Sequence, residues 1–273
     1  MPMNLVIIGV PYAVHKHQAG SESAPSTWQA AGLLEQLAPL VTRAVWVSLQ
    51  SPAGIEMEQL VATACQLRET VATVHQAGAF PLVLGGDPEL VALATMAGLQ
   101  RAGRRPGVAW LGGHNSFAPT EPLGLLAGKG ESVLSRGVEI KASPEWQILL
   151  VGHRESSPET IAALDQSATT HWHAQDLGLA GASELGRDVA DWPSVYLHLD
   201  LDVLSPAIMP AVNKPVPGGL TLETVIAGIE SIAAGGRIDS MGISGYNPDH
   251  DEDGLGLETS LRAIGAAVRI LGI

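Results

Sequence analysis

The sequence is poor in cysteine, in aromatic residues and in basic residues. A single cysteine, Cys65, excludes an internal disulfide and a cysteine-based zinc site, which agrees with a reducing compartment. Lysine and arginine number 15 against 28 aspartates and glutamates, so the net charge is −13 and a phosphate backbone is repelled. We therefore expect no nucleic-acid partner, and small cationic ligands or protein partners fit better.

Long apolar runs and familiar nucleotide or hydrolase motifs are also missing. No run approaches the roughly 18 to 20 apolar residues of a membrane span, and the first residues, MPMNLVIIGV, lead into a strand pattern rather than a signal peptide. We expect a cytoplasmic protein that does not contact a membrane. Without a Gly-x-Gly-x-x-Gly, P-loop or Gly-x-Ser-x-Gly motif, nucleotide binding and serine hydrolysis lack support.

What is present is an alternation of short β-rich runs with longer runs of helical period. Strands are predicted at residues 4–10, 44–49, 80–86, 107–113, 147–153, 169–174, 194–203 and 238–246. Helical patterns include 57–78 and 221–236, the latter with Thr221 as N-cap. Strands that are apolar on both faces predict one α/β domain, residues 1–273, with a mainly parallel sheet between helices. Residues 117–137 lack clear periodicity, and we expect a site-forming loop there.

Polar residues follow four of the predicted strands, at the edge of a parallel sheet where ligands bind. The four stretches read Gly85-Gly86-Asp87-Pro88-Glu89, Gly112-Gly113-His114-Asn115-Ser116, His198-Leu199-Asp200-Leu201-Asp202 and Gly245-Tyr246-Asn247-Pro248-Asp249. Asp200 and Asp202, at alternate strand positions about 7 Å apart, need a cation, a proton or a dense set of donors, because burying two ionised carboxylates costs several kcal/mol. His198 lies on the same face of the strand as the two aspartates. Its role is that of a metal ligand, of a hydrogen-bond partner of a carboxylate or of an ordinary core histidine.

The cation need not be a metal. Lys129 and Lys214 lie in loops expected at the same edge, and an ammonium group placed between the two aspartates would replace a metal by a salt bridge. The alternative is that both lysines face solvent.

Two other patterns have simple structural interpretations. Asp249 to Asp253 begins like a calcium-binding loop, but Ser260 stands where a bidentate glutamate is needed. We favour an acidic turn that caps the final helix. In the first stretch, Asp87 is expected to cap a helix that begins at Pro88.

The four stretches, in this order, resemble the arginase and agmatinase (ureohydrolase) superfamily. The strongest part, HLDLDVLSPAIMPAVNKPVPGGLTLETV, is similar to that family's Ser-x-Asp-x-Asp-x-x-Asp-Pro segment followed by a Gly-Gly-Leu-Thr helix start. The resemblance implies a three-layer α/β/α sandwich with an eight-stranded mainly parallel sheet (arginase/deacetylase-like), and assembly into trimers or hexamers. It also implies two manganese or nickel ions that bridge a hydroxide.

Compared ligand by ligand, only half of that metal site is present. His114, Asp200 and Asp202 match family ligands, with His198 as an optional fourth. Two negative charges and one imidazole support at most one divalent ion, and a pair of ions about 3.5 to 4 Å apart needs shared ligands. The resemblance assigns the replaced positions as Pro88 (a ligand histidine), Gly112 and Ser116 (ligand aspartates), Ala127 (a histidine in the long loop) and Gly245 (a guanidinium-binding glutamate).

Two functions remain open at this stage. The first is a ureohydrolase-fold pseudoenzyme without the dinuclear manganese site, a non-catalytic binding or companion subunit for a small cationic or guanidino-type molecule. It would assemble as a homo-oligomer or with an active homologue. The second is a mononuclear hydrolase that uses one Mn²⁺, Ni²⁺ or Zn²⁺ on His114, Asp200 and Asp202 to cleave a C–N bond of a linear amidine or amide.

Overall fold

The computed structural model describes residues 4–12, 19–50, 56–114, 117–154 and 158–272. These residues form one eight-stranded sheet with the strand order β2-β1-β3-β8-β7-β4-β5-β6, and every neighbouring pair is parallel. The strands are β1 Asn4–Val10, β2 Arg43–Ser48, β3 Phe80–Gly85, β4 Gly107–Leu111, β5 Ile148–His153, β6 Thr170–His173, β7 Val195–Asp200 and β8 Ile238–Ser244.

Helices connect the strands and cover the sheet. They are α1 Ala24–Ala30, α2 Leu33–Leu37, α3 Glu56–Gln76, α4 Pro88–Arg101, α5 Pro122–Leu126, α6 Val133–Gly137, α7 Pro158–Asp165, α8 Leu179–Ala182, α9 Gly186–Val189, α10 Leu222–Gly235 and α11 Leu255–Leu271.

Each face of the sheet carries its own hydrophobic core. One core joins α1, α2 and α8 to α11 with strand residues such as Ala109 and Leu197. The other joins α3 to α7 with the alternate strand residues, such as Trp110 and Tyr196. Because successive strand side chains point to opposite faces, this division produces three layers, helices, sheet and helices.

The eight predicted strands and the three-layer fold are confirmed, and the sheet is parallel throughout the described residues. Thr221 caps α10, since its side chain accepts a hydrogen bond from the Thr224 N–H at 3.2 Å. The long segment 117–137 contains the short helices α5 and α6, so it is more regular than its sequence suggested. Among the described helices, none has the length and apolar character needed to cross a membrane.

Candidate functional site

The four polar stretches meet at one edge of the sheet. Strands β3, β8, β7 and β4 are consecutive neighbours and parallel, so the loops that follow them leave from the same side. The sequence alone indicated which strand ends carry polar residues. The strand order brings those ends together at the centre of the sheet.

Asp200 and Asp202 do not lie on one continuous strand. β7 ends at Asp200, and Leu201–Val203 form a 3-10 turn in which Asp200 Oδ1 accepts a hydrogen bond from the Asp202 N–H at 3.2 Å. The prediction of a strand to residue 203 was therefore wrong at its end, because the Asp200 side chain caps a turn. Both side chains remain buried.

His114 and a backbone amide contact Asp202. His114 Nδ1 lies 2.5 Å from Asp202 Oδ2, and the Gly113 N–H donates to Asp202 Oδ1 at 2.7 Å. The structure thus brings together the three residues that the sequence proposed as ligands. The imidazole side chain is 31% exposed, so this part of the site is open to solvent.

The pKa of the Asp200 carboxyl is shifted toward its protonated form. Burial raises the pKa of the Asp200 carboxyl well above its usual range, and the Asp202 carboxylate raises it further. The His114 imidazole opposes this shift more weakly. The raised pKa of Asp200 and the contact of His114 with Asp202 both act to limit the repulsion between the two carboxyl groups.

Arg154, which sequence reasoning missed, supports the segment that carries Asp202. Its Nη2 donates to the Asp202 carbonyl oxygen at 2.7 Å and to the Leu204 and Val216 carbonyls, while Nε donates to the Pro217 carbonyl. One guanidinium therefore holds the turn after β7 and the following loop together. The only sequence signal was a charged residue directly after a buried strand.

Trp110 occupies the space beside Gly112. The two residues project to the same face of β4, and a Cβ built on Gly112 would overlap Nε1 of the Trp110 indole and lie 2.9 Å from its Cδ1. The indole is 1% exposed and stacks on the His198 ring with centroids 3.9 Å apart. An aspartate at residue 112 therefore has no room in this arrangement.

His198 is fully buried, and both of its ring nitrogens have partners. Nδ1 lies 2.8 Å from the Tyr196 hydroxyl, and Nε2 lies 3.0 Å from Ser244 Oγ. Burial lowers the pKa of His198 to about 3, so the ring is neutral. This geometry matches a core histidine held by hydroxyl groups, and a role as metal ligand would require both contacts to change.

Three of the remaining replaced positions have structural roles. Pro88 is the first residue of α4, and Asp87 caps that helix by accepting from the Leu90 N–H at 2.8 Å, as predicted. Gly245 has φ +91°, and a Cβ there would overlap Asp200 Oδ1. Ala127 ends α5 and packs against the second core. Ser116 lies outside the described residues.

Neither lysine was found between the aspartates. Lys129 Nζ forms an ion pair with Glu145 at 2.7 Å and lies 4.6 Å from the centroid of the Phe117 ring, while Lys214 is exposed. The salt-bridge alternative with Lys129 is therefore wrong, because that ammonium already has an anionic partner.

The acidic turn before α11 caps that helix, as predicted. Asp251 accepts hydrogen bonds from the N–H groups of Gly256 and Leu257 at 2.8 and 2.7 Å. Asp253 accepts from the Leu255 N–H at 3.0 Å.

Glu89 is a second acidic group that the sequence did not single out. Burial, with smaller contributions from the neighbouring Asp87 and Glu121, raises its pKa from 4.5 to about 7. A hydrogen bond from Ser132 Oγ at 3.1 Å opposes this shift. Near neutral pH the Glu89 carboxyl therefore exchanges a proton easily.

The fold and the paired aspartates together define an α/β protein of the ureohydrolase type. The profile of the Arginase family matches residues 3–272, and the chain belongs to this family. It is 28% identical to the arginase of Bacillus caldovelox over 275 residues, 90% of this chain and 91% of that protein. It is 30% identical to the formimidoylglutamase of Klebsiella aerogenes over 218 residues, 76% of this chain and 96% of that protein.

A solved structure supports the same fold. The arginase of Entamoeba histolytica in complex with L-ornithine superposes with a TM-score of 0.87 at 21% identity, covering 98% of both chains. At this identity the likeness shows the architecture alone.

Proteins of this family use divalent metals such as manganese, and the described residues do not fit a pair of them. Within those residues, no three His, Cys, Asp or Glu side chains are arranged to hold a metal ion. Pro88 has no donor, and the space at Gly112 is filled by Trp110. His114, Asp200 and Asp202 are the donors that remain for a single ion, and His114 now bonds directly to Asp202.

Proposed function

We propose that this arginase-family chain is a pseudoenzyme that lacks the dinuclear manganese site and acts as a non-catalytic binding or companion subunit. The observation that carries the proposal is the Trp110 indole beside Gly112. A shared carboxylate is what allows two ions about 3.5 to 4 Å apart to activate one hydroxide. Here a buried indole takes the place that the side chain of such a ligand needs.

The packing around Trp110 reinforces the loss of the aspartate at residue 112. The indole stacks on His198, and His198 is fixed at both ring nitrogens by Tyr196 and Ser244. An aspartate at residue 112 would require the Trp110 indole to move away from the His198 ring on which it stacks. Recovery of the dinuclear site by one substitution is therefore not expected.

The proposal is tested by activity and by metal content together. Purified protein loaded with Mn²⁺ or Ni²⁺ is assayed with arginine, agmatine and formimidoylglutamate, beside an active family member as positive control. We expect no hydrolysis and no more than one ion per chain between His114, Asp200 and Asp202. Hydrolysis at an ordinary turnover that a chelator abolishes would contradict the proposal.

A mononuclear hydrolase is the second candidate, because His114 is partly exposed and lies against Asp202. A Zn²⁺, Mn²⁺ or Ni²⁺ ion would have to replace that direct contact and use one imidazole and two carboxylates. It predicts a melting temperature that rises with metal concentration and falls on chelation. A melting temperature unaffected by chelator, together with no hydrolysis, eliminates this candidate.

We further propose that the whole chain, residues 1–273, is one cytoplasmic domain that binds a small cationic or guanidino-type molecule. The net charge of −13 favours a cationic ligand. The companion role predicts a homo-oligomer (trimer or hexamer) or a hetero-oligomer with an active homologue. Light scattering of the purified chain, alone and mixed with such a homologue, distinguishes the two assemblies.

A further inference from the structure

Three histidines gather at the ends of β5 and β6, beside the open edge of the sheet. β6 is the edge strand, and it carries His171 and His173 at alternate positions, so both project to the same face. The register of β5 on β6 shifts between Val151 and His153, and Gly152 has φ +87°. This bulge pairs His153 with His173 and turns its ring toward the two histidines of β6.

The ring contacts define which nitrogen carries a lone pair. His171 Nε2 lies 3.3 Å from Asp165 Oδ1, and in the tautomer that donates from Nε2 to this carboxylate Nδ1 presents a lone pair. That lone pair lies 3.3 Å from His153 Nε2. His173 Nδ1 accepts a hydrogen bond from the Gln175 N–H at 3.2 Å, and its ring meets the His153 ring edge-on with centroids 5.3 Å apart.

His153 is incompletely satisfied by the protein. The residue is only 5% exposed, and its Nδ1 has no hydrogen-bond partner within the described parts of the chain. A buried polar atom left without a partner costs about 1 to 3 kcal/mol. Burial, with a smaller contribution from His171 and His173, lowers the pKa of His153 to about 4, so the ring is neutral at physiological pH.

A cavity of about 390 Å³ opens beside these rings, lined by the three histidines and by Asp176 and Arg154 among others. The Arg154 guanidinium hydrogens are directed at backbone carbonyls, for example those of Asp202, Val203 and Pro217, so they offer little to an anion in the cavity. Imidazole nitrogens and a carboxylate instead suit a cation of the borderline class, such as Zn²⁺, Ni²⁺ or Cu²⁺.

We propose that His153 and His171 are two ligands of a transition-metal site at this edge, with Zn²⁺ as the reference ion, separate from the family site. Two nitrogens bound to one Zn²⁺ at 2.0 to 2.1 Å in tetrahedral geometry are about 3.3 to 3.4 Å apart. His153 Nε2 and His171 Nδ1 have this separation, 3.3 Å. The ion replaces the contact between the rings and moves the His153 proton to Nδ1. Asp165 orients His171 in the way that carboxylates orient metal-bound histidines.

The site is half formed before the ion arrives. Two of the three rings are in contact as they lie, and the described residues hold no ready group of three ligands, so a third ligand has to move when the ion binds. The third ligand is His173 after rotation of its ring, or Asp176, and water completes the shell. A site built from imidazoles binds Zn²⁺ or Ni²⁺ more tightly than Mn²⁺. A site built mainly from carboxylates is instead suited to Mn²⁺.

Calorimetric titration of the full chain with Zn²⁺, Ni²⁺ and Mn²⁺ tests the proposal. We expect one Zn²⁺ per chain, binding at least tenfold tighter than Mn²⁺. His171→Gln, at a partly exposed position, should weaken Zn²⁺ binding by at least tenfold, whereas Asp202→Asn, at the family site, should leave it unchanged. No Zn²⁺ binding, or binding lost in Asp202→Asn and kept in His171→Gln, overturns the proposal.

A second measurement does not depend on any variant. Anomalous diffraction at the zinc edge from crystals of the unmodified protein should place the ion between His153 and His171. An ion bound only by His114, Asp200 and Asp202 would contradict this site. That outcome would not contradict the proposal that the dinuclear manganese site is lost. The histidine site and the loss of the dinuclear site are therefore tested independently.

Discussion

The packing of Trp110 against Gly112 predicts that even a methyl group at residue 112 destabilises the protein. Gly112→Ala places a Cβ in overlap with the indole, and stacking on the buried His198 prevents the indole from retreating. Overpacking of this kind costs about 1 to 3 kcal/mol. The φ of Gly112 is not in the left-handed region, so the change measures steric overlap rather than backbone strain.

The test is a double-mutant cycle in urea, followed by circular dichroism. Trp110→Leu removes the overlapping ring, so adding Gly112→Ala to that variant should cost less than about 0.5 kcal/mol. Gly265→Ala is the matched control, because a Cβ there meets nothing within 4 Å. The reasoning fails if Gly112→Ala is as stable as the unmodified protein, or if its cost is the same with and without the indole.

Three further predictions concern the same edge of the sheet. Glu89→Gln should stabilise the protein by up to about 3 kcal/mol above pH 7 and have little effect below pH 4.5, because a raised pKa means that the folded state loses stability as pH rises from 4.5 to 7. Melting temperatures from pH 4 to 8 check this, and a pH-independent effect contradicts it. Asp202→Asn should change stability by less than about 1 kcal/mol, equally in EDTA and in Mn²⁺, since removing the Asp202 charge makes the buried Asp200 carboxyl easier to ionise and offsets the lost His114 contact. A loss seen only with metal would instead indicate a bound ion. Arg154→Lys should lower unfolding stability by at least about 2 kcal/mol, because one ammonium cannot satisfy carbonyls from Asp202 to Pro217, and an unchanged urea midpoint would refute that role.

The sequence was sufficient to predict the fold because its signals are local. Strands apolar on both faces, separated by helical periods, predict a parallel sheet, and cap residues such as Asp87 and Thr221 mark helix starts. The family motifs then indicated which strand ends carry polar residues.

What the sequence did not predict depends on contacts between distant segments. The overlap of Trp110 with Gly112 follows from one side-chain rotamer, and its stacking on His198 requires β4 and β7 to be neighbours. The contact of His153 with His171 requires both the pairing of β5 with β6 and the bulge at Gly152. Asp200 was predicted to continue a strand, but its side chain ends that strand by accepting the Asp202 N–H.

Anomalous diffraction from crystals of the unmodified chain grown with excess Mn²⁺ tests the central claim most directly. We expect no pair of manganese ions beside Asp200 and Asp202, and at most one ion there, because the side-chain space at Gly112 is filled. Two fully occupied ions about 3.5 to 4 Å apart at this position would contradict the account.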